Sequence, residues 1–366
     1  MNPNKRIFAT GTMRTGGTLL INALSLHSQI SVFNERINYF RFVHNKYNPL
    51  NIKNIDRMLN QYKIRLKHRI NVDVDVDEIF GRIIKSDLNQ EACYEELMQS
   101  LLLPTGKKIW GEYANLSWKH IPDFLEMYPN GKVIHVCRDL RGVLASFGKI
   151  SFMPNKLYLG AIFNWIDSVN HIIKYQNILS SKSYMMVRFE DIHLNPEDTI
   201  RSVCSFLNVP FEDSMTNDKD WHKLLNETHT KVNISSFTNK KVYGFDPSRN
   251  TTWKDNIHVW EIELCNYLAG DLLKKMGYEV SSSPFRNDTI LETGLDYLRK
   301  QPYLSKLLED FLSNGSGSDT LPIDPAKPEN WSAPGDGFRK FTESTAYNRY
   351  IKDLEKLEVE LANKYQ

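Results

Sequence analysis

The clearest hydrophobic pattern lies near the start of the chain, where a short apolar run precedes glycines and an apolar stripe. Residues 6–10 are mostly apolar, residues 11–18 contain three glycines, and apolar residues then recur at three- and four-residue spacing towards His27. A short apolar run is typical of a buried strand, and the wider spacing is typical of a helix with one buried face. The pattern therefore predicts a strand, a loop and a helix in direct succession.

Similar alternation appears further along the chain. Apolar runs with the length of buried strands lie at 30–33, 108–113, 133–137 and 184–187. Stretches with helical spacing lie at 117–128, 155–179, 196–207 and 257–276. A strand, a helix and a second buried strand within about 30 residues indicate a parallel βαβ unit. The pattern predicts an α/β fold with three αβα layers and a central parallel sheet.

Two regions depart from this alternation. Residues 36–103 are more polar and are predicted to form an insertion of several helices. After residue 280 the chain contains a glycine- and proline-rich stretch, typical of a linker or an extended wrapping segment, and then a charged helix over 342–366. We predict one domain over 1–280 and a C-terminal extension over 281–366, which could serve as a homo-oligomer contact.

Composition and charge mainly exclude classes of protein. Hydrophobic residues make up 41% of the chain and charged residues 25%, which is ordinary for a soluble protein. The net charge of +2 provides no general attraction to nucleic acid or to an anionic membrane. The chain has no apolar segment of the roughly 18 residues that a spanning helix needs. We expect a cytoplasmic protein.

The cysteine pattern indicates neither a disulfide framework nor a zinc site. The four cysteines are far apart in sequence and form no C-x-x-C motif or Cys/His cluster. Their spacing fits a reducing compartment best.

The glycine-rich loop is the first candidate site. Its glycines allow several backbone N–H groups to converge at a helix N-terminus, where an anion is stabilised. The loop also supplies a cation and three hydroxyls, and it comprises Gly11, Thr12, Met13, Arg14, Thr15, Gly16, Gly17 and Thr18. In ATP-binding P-loops a lysine occupies the position at which this chain has Gly17. That difference argues against a nucleotide kinase or NTPase.

A second candidate anion site follows the apolar run 133–137. Arg138 comes directly after the run, and Ser146 follows on the next predicted helix. A guanidinium can donate two hydrogen bonds to a phosphate, and a hydroxyl can donate another. An ion pair between Arg138 and Asp139 is the structural alternative.

These segments resemble those of PAPS-dependent sulfotransferases, which use 3′-phosphoadenosine 5′-phosphosulfate. The loop is similar to the family's R-[ST]-G-[GT]-T motif, and 138–146 is similar to R-D-P-R-x-V-x-x-S, with Leu140 in place of proline. Residues 187–192 resemble the family's R-Y-E-D-L stretch, with Phe189 in place of tyrosine. Arg249 lies in a segment similar to the one that returns over the nucleotide. The resemblance covers roughly 6–40 and 105–278.

The resemblance implies a P-loop-like fold and a donor with anionic groups at both ends. PAPS would be the co-substrate and PAP the product, without an obligatory metal. The loop residues from Thr12 to Thr18 would bind the 5′-phosphosulfate, Arg138 and Ser146 the 3′-phosphate, and Arg249 would add charge there. Arg14 would stabilise the oxygen that leaves with the 5′-phosphate.

Two carboxylates are candidate general bases. Glu35 stands at the spacing from Arg14 at which tyrosylprotein sulfotransferases carry their catalytic glutamate. Glu112 lies near the end of 108–113, where cytosolic sulfotransferases place a catalytic histidine. Burial can raise a carboxylate pKa towards the working pH, so either residue fits the role.

The acceptor has no readable signature, and a small-molecule alcohol or amine is the favoured hypothesis. The insertion 36–103 is expected to lie on the acceptor side. Alternative hypotheses are a P-loop kinase or NTPase, and a non-catalytic nucleotide-binding protein.

Overall fold

The structure is a computed structural model that describes residues 5–34, 37–149, 153, 155–217, 219–221, 233–234, 241–242, 244–280, 288–325, 327–330 and 345–365. A five-stranded parallel sheet lies at its centre, in the order β2-β3-β1-β4-β5. These strands are β1 Ile7–Gly11, β2 Ile30–Asn34, β3 Ile109–Tyr113, β4 Lys132–Cys137 and β5 Tyr184–Arg188. The predicted α/β fold is confirmed, and every predicted strand is present.

Helices cover both faces of the sheet, as parallel sheets require. They are α1 Gly17–Ser25, α2 Tyr39–Phe42, α3 Ile52–Ile70, α4 Val76–Ile83, α5 Gln90–Leu102, α6 Ile121–Met127, α7 Leu140–Phe147, α8 Gly160–Ile178, α9 Phe189–Leu194, α10 Pro196–Leu207, α11 Val259–Lys275, α12 Asp288–Arg299, α13 Pro302–Asn314 and α14 Thr345–Lys364. A short antiparallel pair joins β6 Asn233–Ile234 to β7 Lys241–Val242.

Alternation along β1 separates two hydrophobic cores. Ile7 and Ala9 pack with α1 and α10 on one face, while Phe8 packs with α6, α7 and α8 on the other. All five residues of β1 are buried, so this strand is fully enclosed. The period of two along a strand explains why one short run serves both cores.

The strand order creates a switch point beside β1. The neighbours of β1 in the sheet are β3 and β4. From β1 the chain crosses past β3 to β2 at one edge, whereas from β4 it continues to β5 at the opposite edge. The loops that follow β1 and β4 therefore diverge and leave a crevice at the carboxyl ends of the strands. Ligands of open α/β sheets bind in such a crevice.

The C-terminal extension packs on the rest of the chain. Its helix α14 lies along α3, where the Asp56 carboxylate accepts hydrogen bonds from Lys364 Nζ at 2.7 Å and Tyr365 Oη at 2.8 Å. The glycine-rich stretch after α13 runs against α8, and Asn164 Nδ2 donates to the carbonyl oxygen of Ser318 at 2.8 Å. This stretch therefore wraps the α8 surface.

Helices α12 and α13 were not predicted from the sequence pattern. Both contain buried leucines at helical spacing, including Leu291, Leu295 and Leu298 in α12 and Leu304 and Leu308 in α13. The apolar stripe was therefore present in the sequence.

All four cysteines are free and buried. Within the described part of the chain, no helix combines the length and apolarity needed to cross a membrane.

Candidate phosphate-binding site

The loop between β1 and α1 is held in a tight conformation. Thr15 Oγ1 donates a hydrogen bond to the carbonyl oxygen of Thr12 at 2.8 Å. Gly16 has φ 84°, and a Cβ there would come within 2.2 Å of the Phe189 ring. Both the left-handed backbone and the close ring therefore favour glycine at this position.

The loop leaves donors at the start of α1 available to an anion. Gly16 provides no side-chain cap, and the first turn of α1 contains no acidic residue. Thr12 Oγ1 is buried and has no hydrogen-bond partner among the described residues. A buried hydroxyl without a partner is costly, and an anion bound in the loop would satisfy it.

Arg14 has a strained backbone conformation within the loop, and its side chain extends towards α7. Its φ of 69° lies in the left-handed region, which non-glycine residues rarely adopt. Its Nε donates to Ser146 Oγ at 2.8 Å. Burial lowers the pKa of the Arg14 guanidinium. Strain of this kind is concentrated at functional sites.

Arg138 joins the same cluster from the end of β4. Its Nη1 donates to the carbonyl oxygen of Arg14 at 3.1 Å, and its guanidinium carbon lies 4.0 Å from the centre of the Phe189 ring. Burial is the main cause that lowers the pKa of Arg138 to about 10; Glu190 opposes that shift and Arg14 adds to it. Among the described residues, neither Arg14 nor Arg138 forms an ion pair.

The alternative pairing of Arg138 with Asp139 is wrong. The Asp139 carboxylate instead pairs with Arg141 Nη2 at 2.6 Å and accepts a hydrogen bond from Arg141 N at 2.9 Å, which caps α7. Trp165 Nε1 donates to the Arg138 carbonyl oxygen at 2.7 Å and fixes the backbone there. The Arg138 backbone is therefore fixed, and its guanidinium forms no ion pair with Asp139.

Arg249 approaches the same region from the segment after β7. Its Nε lies 3.7 Å from Asp246 Oδ2, and burial lowers its pKa. His193 accepts a hydrogen bond from Asp246 N at 2.9 Å. Burial, followed by the charges of Arg249 and Arg138, lowers the pKa of His193 to about 3. The charges of both arginines therefore act on the His193 imidazole.

The remaining predicted loop residues have packing roles in the structure. Met13 packs against the larger hydrophobic core. A Cβ on Gly17 would come within 2.1 Å of the Tyr113 hydroxyl oxygen, so the loop lies directly on that side chain. Thr18 Oγ1 accepts a hydrogen bond from Asn34 Nδ2 at 3.3 Å. These contacts fix the loop against β2 and β3.

Of the two carboxylates predicted as bases, the structure describes only Glu112. Glu35 lies outside the described residues. Glu112 is completely buried, and it accepts hydrogen bonds from Asn38 N at 2.6 Å, Tyr94 Oη at 2.6 Å and Tyr39 N at 3.4 Å. Burial raises the pKa of Glu112, while these hydrogen bonds oppose the shift. The carboxylate ties the start of α2 to the sheet.

Sequence reasoning missed Phe189 and His193 as members of the site. Phe189 touches both the loop at Gly16 and the guanidinium of Arg138, and its ring meets that of His193 at 4.5 Å. The two residues lie one helical turn apart directly after β5, at the carboxyl edge of the sheet. Their position directly after a strand was the feature of the sequence that could have indicated them as site residues.

Comparison with known proteins identifies relatives of this fold. A model of the sulfotransferase family matches residues 6–213, more than half of the chain. The sulfotransferase domain of the Synechococcus PCC 7002 olefin synthase is 18% identical, over 76% of this chain and 97% of that domain, with a TM-score of 0.51. The sulfotransferase domain of the curacin biosynthetic pathway is 18% identical, over 75% of this chain and 98% of that domain, with a TM-score of 0.49. A mouse sulfotransferase complexed with PAP is 13% identical, over 75% and 90% of the two chains, with a TM-score of 0.37.

Proposed function

This chain belongs to the sulfotransferase family, and from that premise we propose that it transfers the sulfuryl group of PAPS to a small-molecule acceptor. The observation that carries the proposal is the meeting of Arg14, Arg138 and Ser146 at the carboxyl ends of β1 and β4. Burial lowers the pKa of Arg138 and the charge of Arg14 lowers it further, so the two cations repel each other and their proximity favours a ligand with more than one anionic group.

The donor would occupy this cluster at both of its anionic ends. The loop N–H groups, Thr12 Oγ1 and Arg14 would bind the 5′-phosphosulfate, because an uncapped helix start and a free hydroxyl suit an anion. Arg138 and Ser146 would bind the 3′-phosphate, with further charge from Arg249. Since Arg14 Nε donates to Ser146 Oγ, donor binding would exchange this hydrogen bond for hydrogen bonds to the ligand.

The proposed reaction is an in-line displacement at sulfur. An oxygen or nitrogen of the acceptor forms a bond to sulfur while the bond between sulfur and the 5′-phosphate oxygen breaks. The acceptor proton passes to a carboxylate base, and PAP leaves with the electron pair on its oxygen. Arg14 would stabilise that oxygen, so positioning and electrostatics supply most of the rate enhancement.

Glu35 is the favoured base and Glu112 the second candidate. Asn34, which precedes Glu35 in the sequence, donates a hydrogen bond to Thr18 in the first turn of α1, so the end of β2 lies beside the loop. Glu112 already accepts three hydrogen bonds within the fold, which supports a structural role for it instead.

Turnover with labelled PAPS and a panel of small alcohols, phenols and amines tests this function. We expect label transfer to at least one acceptor and its loss in Arg14→Ala. Transfer that persists at the wild-type rate in Arg14→Ala would contradict the mechanism. PAP binding without transfer to any acceptor would favour the non-catalytic alternative.

A further inference from the structure

A cluster of two imidazoles and one carboxylate lies apart from the anion-binding residues, between the segment after α2 and the start of α6. One ligand atom each from His44, His120 and Asp123 lies within 4.8 Å of the others. We propose that this cluster binds a divalent transition-metal ion of the zinc type. The ion would bridge the helical insertion and the core.

The donor set has the chemistry of a zinc site. Imidazole nitrogens and carboxylate oxygens are common zinc ligands, and three protein ligands leave one position of a tetrahedral ion for water. His120 and Asp123 lie one helical turn apart, whereas His44 comes from a distant part of the chain. The cluster therefore offers two imidazole nitrogens and one carboxylate oxygen from two separate parts of the chain.

Packing orients both imidazoles. The buried Phe40 ring stacks on His120 with centres 5.1 Å apart and planes 11° apart, and it meets the edge of His44 at 5.2 Å. Asp123 Oδ2 lies 2.8 Å from His120 Nδ1, which further restricts the His120 ring. A common apolar support reduces the conformational entropy lost when both rings bind one ion.

The side chains can close around an ion by small rotations. Metal–ligand bonds of about 2.0 to 2.2 Å in a tetrahedral zinc site separate neighbouring ligand atoms by roughly 3.4 Å. The side chains of His120 and Asp123 are each 39% exposed, so neither is locked in the core. Side-chain rotation could therefore open the 2.8 Å spacing between Asp123 Oδ2 and His120 Nδ1 and bring ligand atoms that are up to 4.8 Å apart closer together.

A bound ion would stabilise the attachment of the insertion. His44 follows α2, and the first backbone N–H groups of α2 bind the Glu112 carboxylate of the sheet. Fixing His44 to α6 would add a second tie between the insertion and the core. This role is structural and does not depend on sulfuryl transfer.

Calorimetric titration of the chelator-treated, untagged full chain with Zn²⁺ tests the site. We expect one ion per chain, a higher melting temperature with Zn²⁺, and at least about tenfold weaker binding in His44→Ala and in His120→Ala. The matched control is His171→Ala, since His171 also lies beside a carboxylate, Asp167 at 3.8 Å, but belongs to no three-ligand cluster among the described residues. That variant should bind Zn²⁺ like the wild type.

Cobalt provides a readout that does not rely on stability. Co²⁺ bound at this cluster should give the visible absorption of a low-coordinate imidazole site, and His120→Asn, which retains a polar side chain, should remove it. Circular dichroism establishes that each variant is folded before titration. Absence of Zn²⁺ binding by the wild type, or wild-type affinity in folded His44→Ala, would overturn the proposal.

Discussion

Two sets of ionisable side chains, one basic and one acidic, lie near the carboxyl edge of the same sheet, and they differ in the partners that the fold gives them. After the ends of β1 and β4, the Arg138 guanidinium donates to the Arg14 backbone carbonyl oxygen, and neither arginine forms an ion pair among the described residues. At the end of β3, Glu112 accepts three hydrogen bonds from α2 and α5. The arginine cluster therefore lacks anionic partners among the described residues, whereas the Glu112 carboxyl group has hydrogen-bond partners.

The difference separates binding from structure. A buried charge that lacks a counter-charge lowers stability, so it persists where a ligand supplies the missing charge. A buried carboxyl group with several hydrogen bonds already has its partners within the protein. We therefore interpret the arginine cluster as the ligand site and the Glu112 network as part of the scaffold.

The largest expected effect concerns Arg14. Removal of its guanidinium in Arg14→Ala should lower kcat by about 10²- to 10³-fold or more, as the loss of one donor to a developing anion does elsewhere. Steady-state assays with labelled PAPS measure it. Arg201→Ala is the matched control, because that arginine pairs with Glu197 on the surface of α10 and should be neutral. Equal rates for the two variants would remove Arg14 from the reaction.

Next in size is the stability effect at Glu112. Glu112→Ala leaves the buried donors Asn38 N and Tyr94 Oη without an acceptor, at a cost of about 3 kcal/mol or more in unfolding free energy. Arg138→Met, which keeps contact with Phe189, should leave the unfolding free energy unchanged or slightly higher. Urea denaturation measures both variants. A larger loss in Arg138→Met than in Glu112→Ala would reverse the comparison.

Donor affinity should rank the partners within the arginine cluster. Arg138→Ala should weaken PAP binding about 10- to 100-fold, since a charge-assisted pair of hydrogen bonds is lost. Ser146→Ala removes one neutral hydroxyl and should weaken binding about 3- to 10-fold. Calorimetric titration with PAP gives both values. An order of effects opposite to this one would place the 3′-phosphate elsewhere.

The smallest expected effect is a pH dependence of stability. Burial raises the pKa of Glu112 in the folded state, so the folded protein binds this proton more tightly than the unfolded chain does. Its contribution is therefore full below the ordinary glutamate pKa and is lost as pH rises through the folded pKa. Glu112→Gln keeps an acceptor but does not titrate, so unfolding curves at several pH values should show a flatter profile. An unchanged profile would mean that burial does not dominate this pKa.

Much of the fold was predictable because its strands are short apolar runs between helices with clear stripes. The loop and Arg138 could be chosen as candidates because they follow strands directly, and Ser146 because of the family resemblance; their roles in donor binding stay predictions. The bond between Arg14 and Ser146 was not, because it joins residues 132 positions apart in sequence. For the same reason the hydrogen bonds of Glu112 to α2 and α5 could not be predicted from the sequence. The sequence alone therefore could not distinguish a structural role of Glu112 from a role as general base.

Calorimetric titration of the wild-type protein with PAP and, separately, with ATP tests the central claim most directly. The account predicts that PAP binds at least about tenfold more tightly than ATP, because Arg138 and Ser146 would contact a 3′-phosphate that ATP lacks. ATP binding as tight as PAP binding, or tighter, would contradict the assignment of PAPS as the donor.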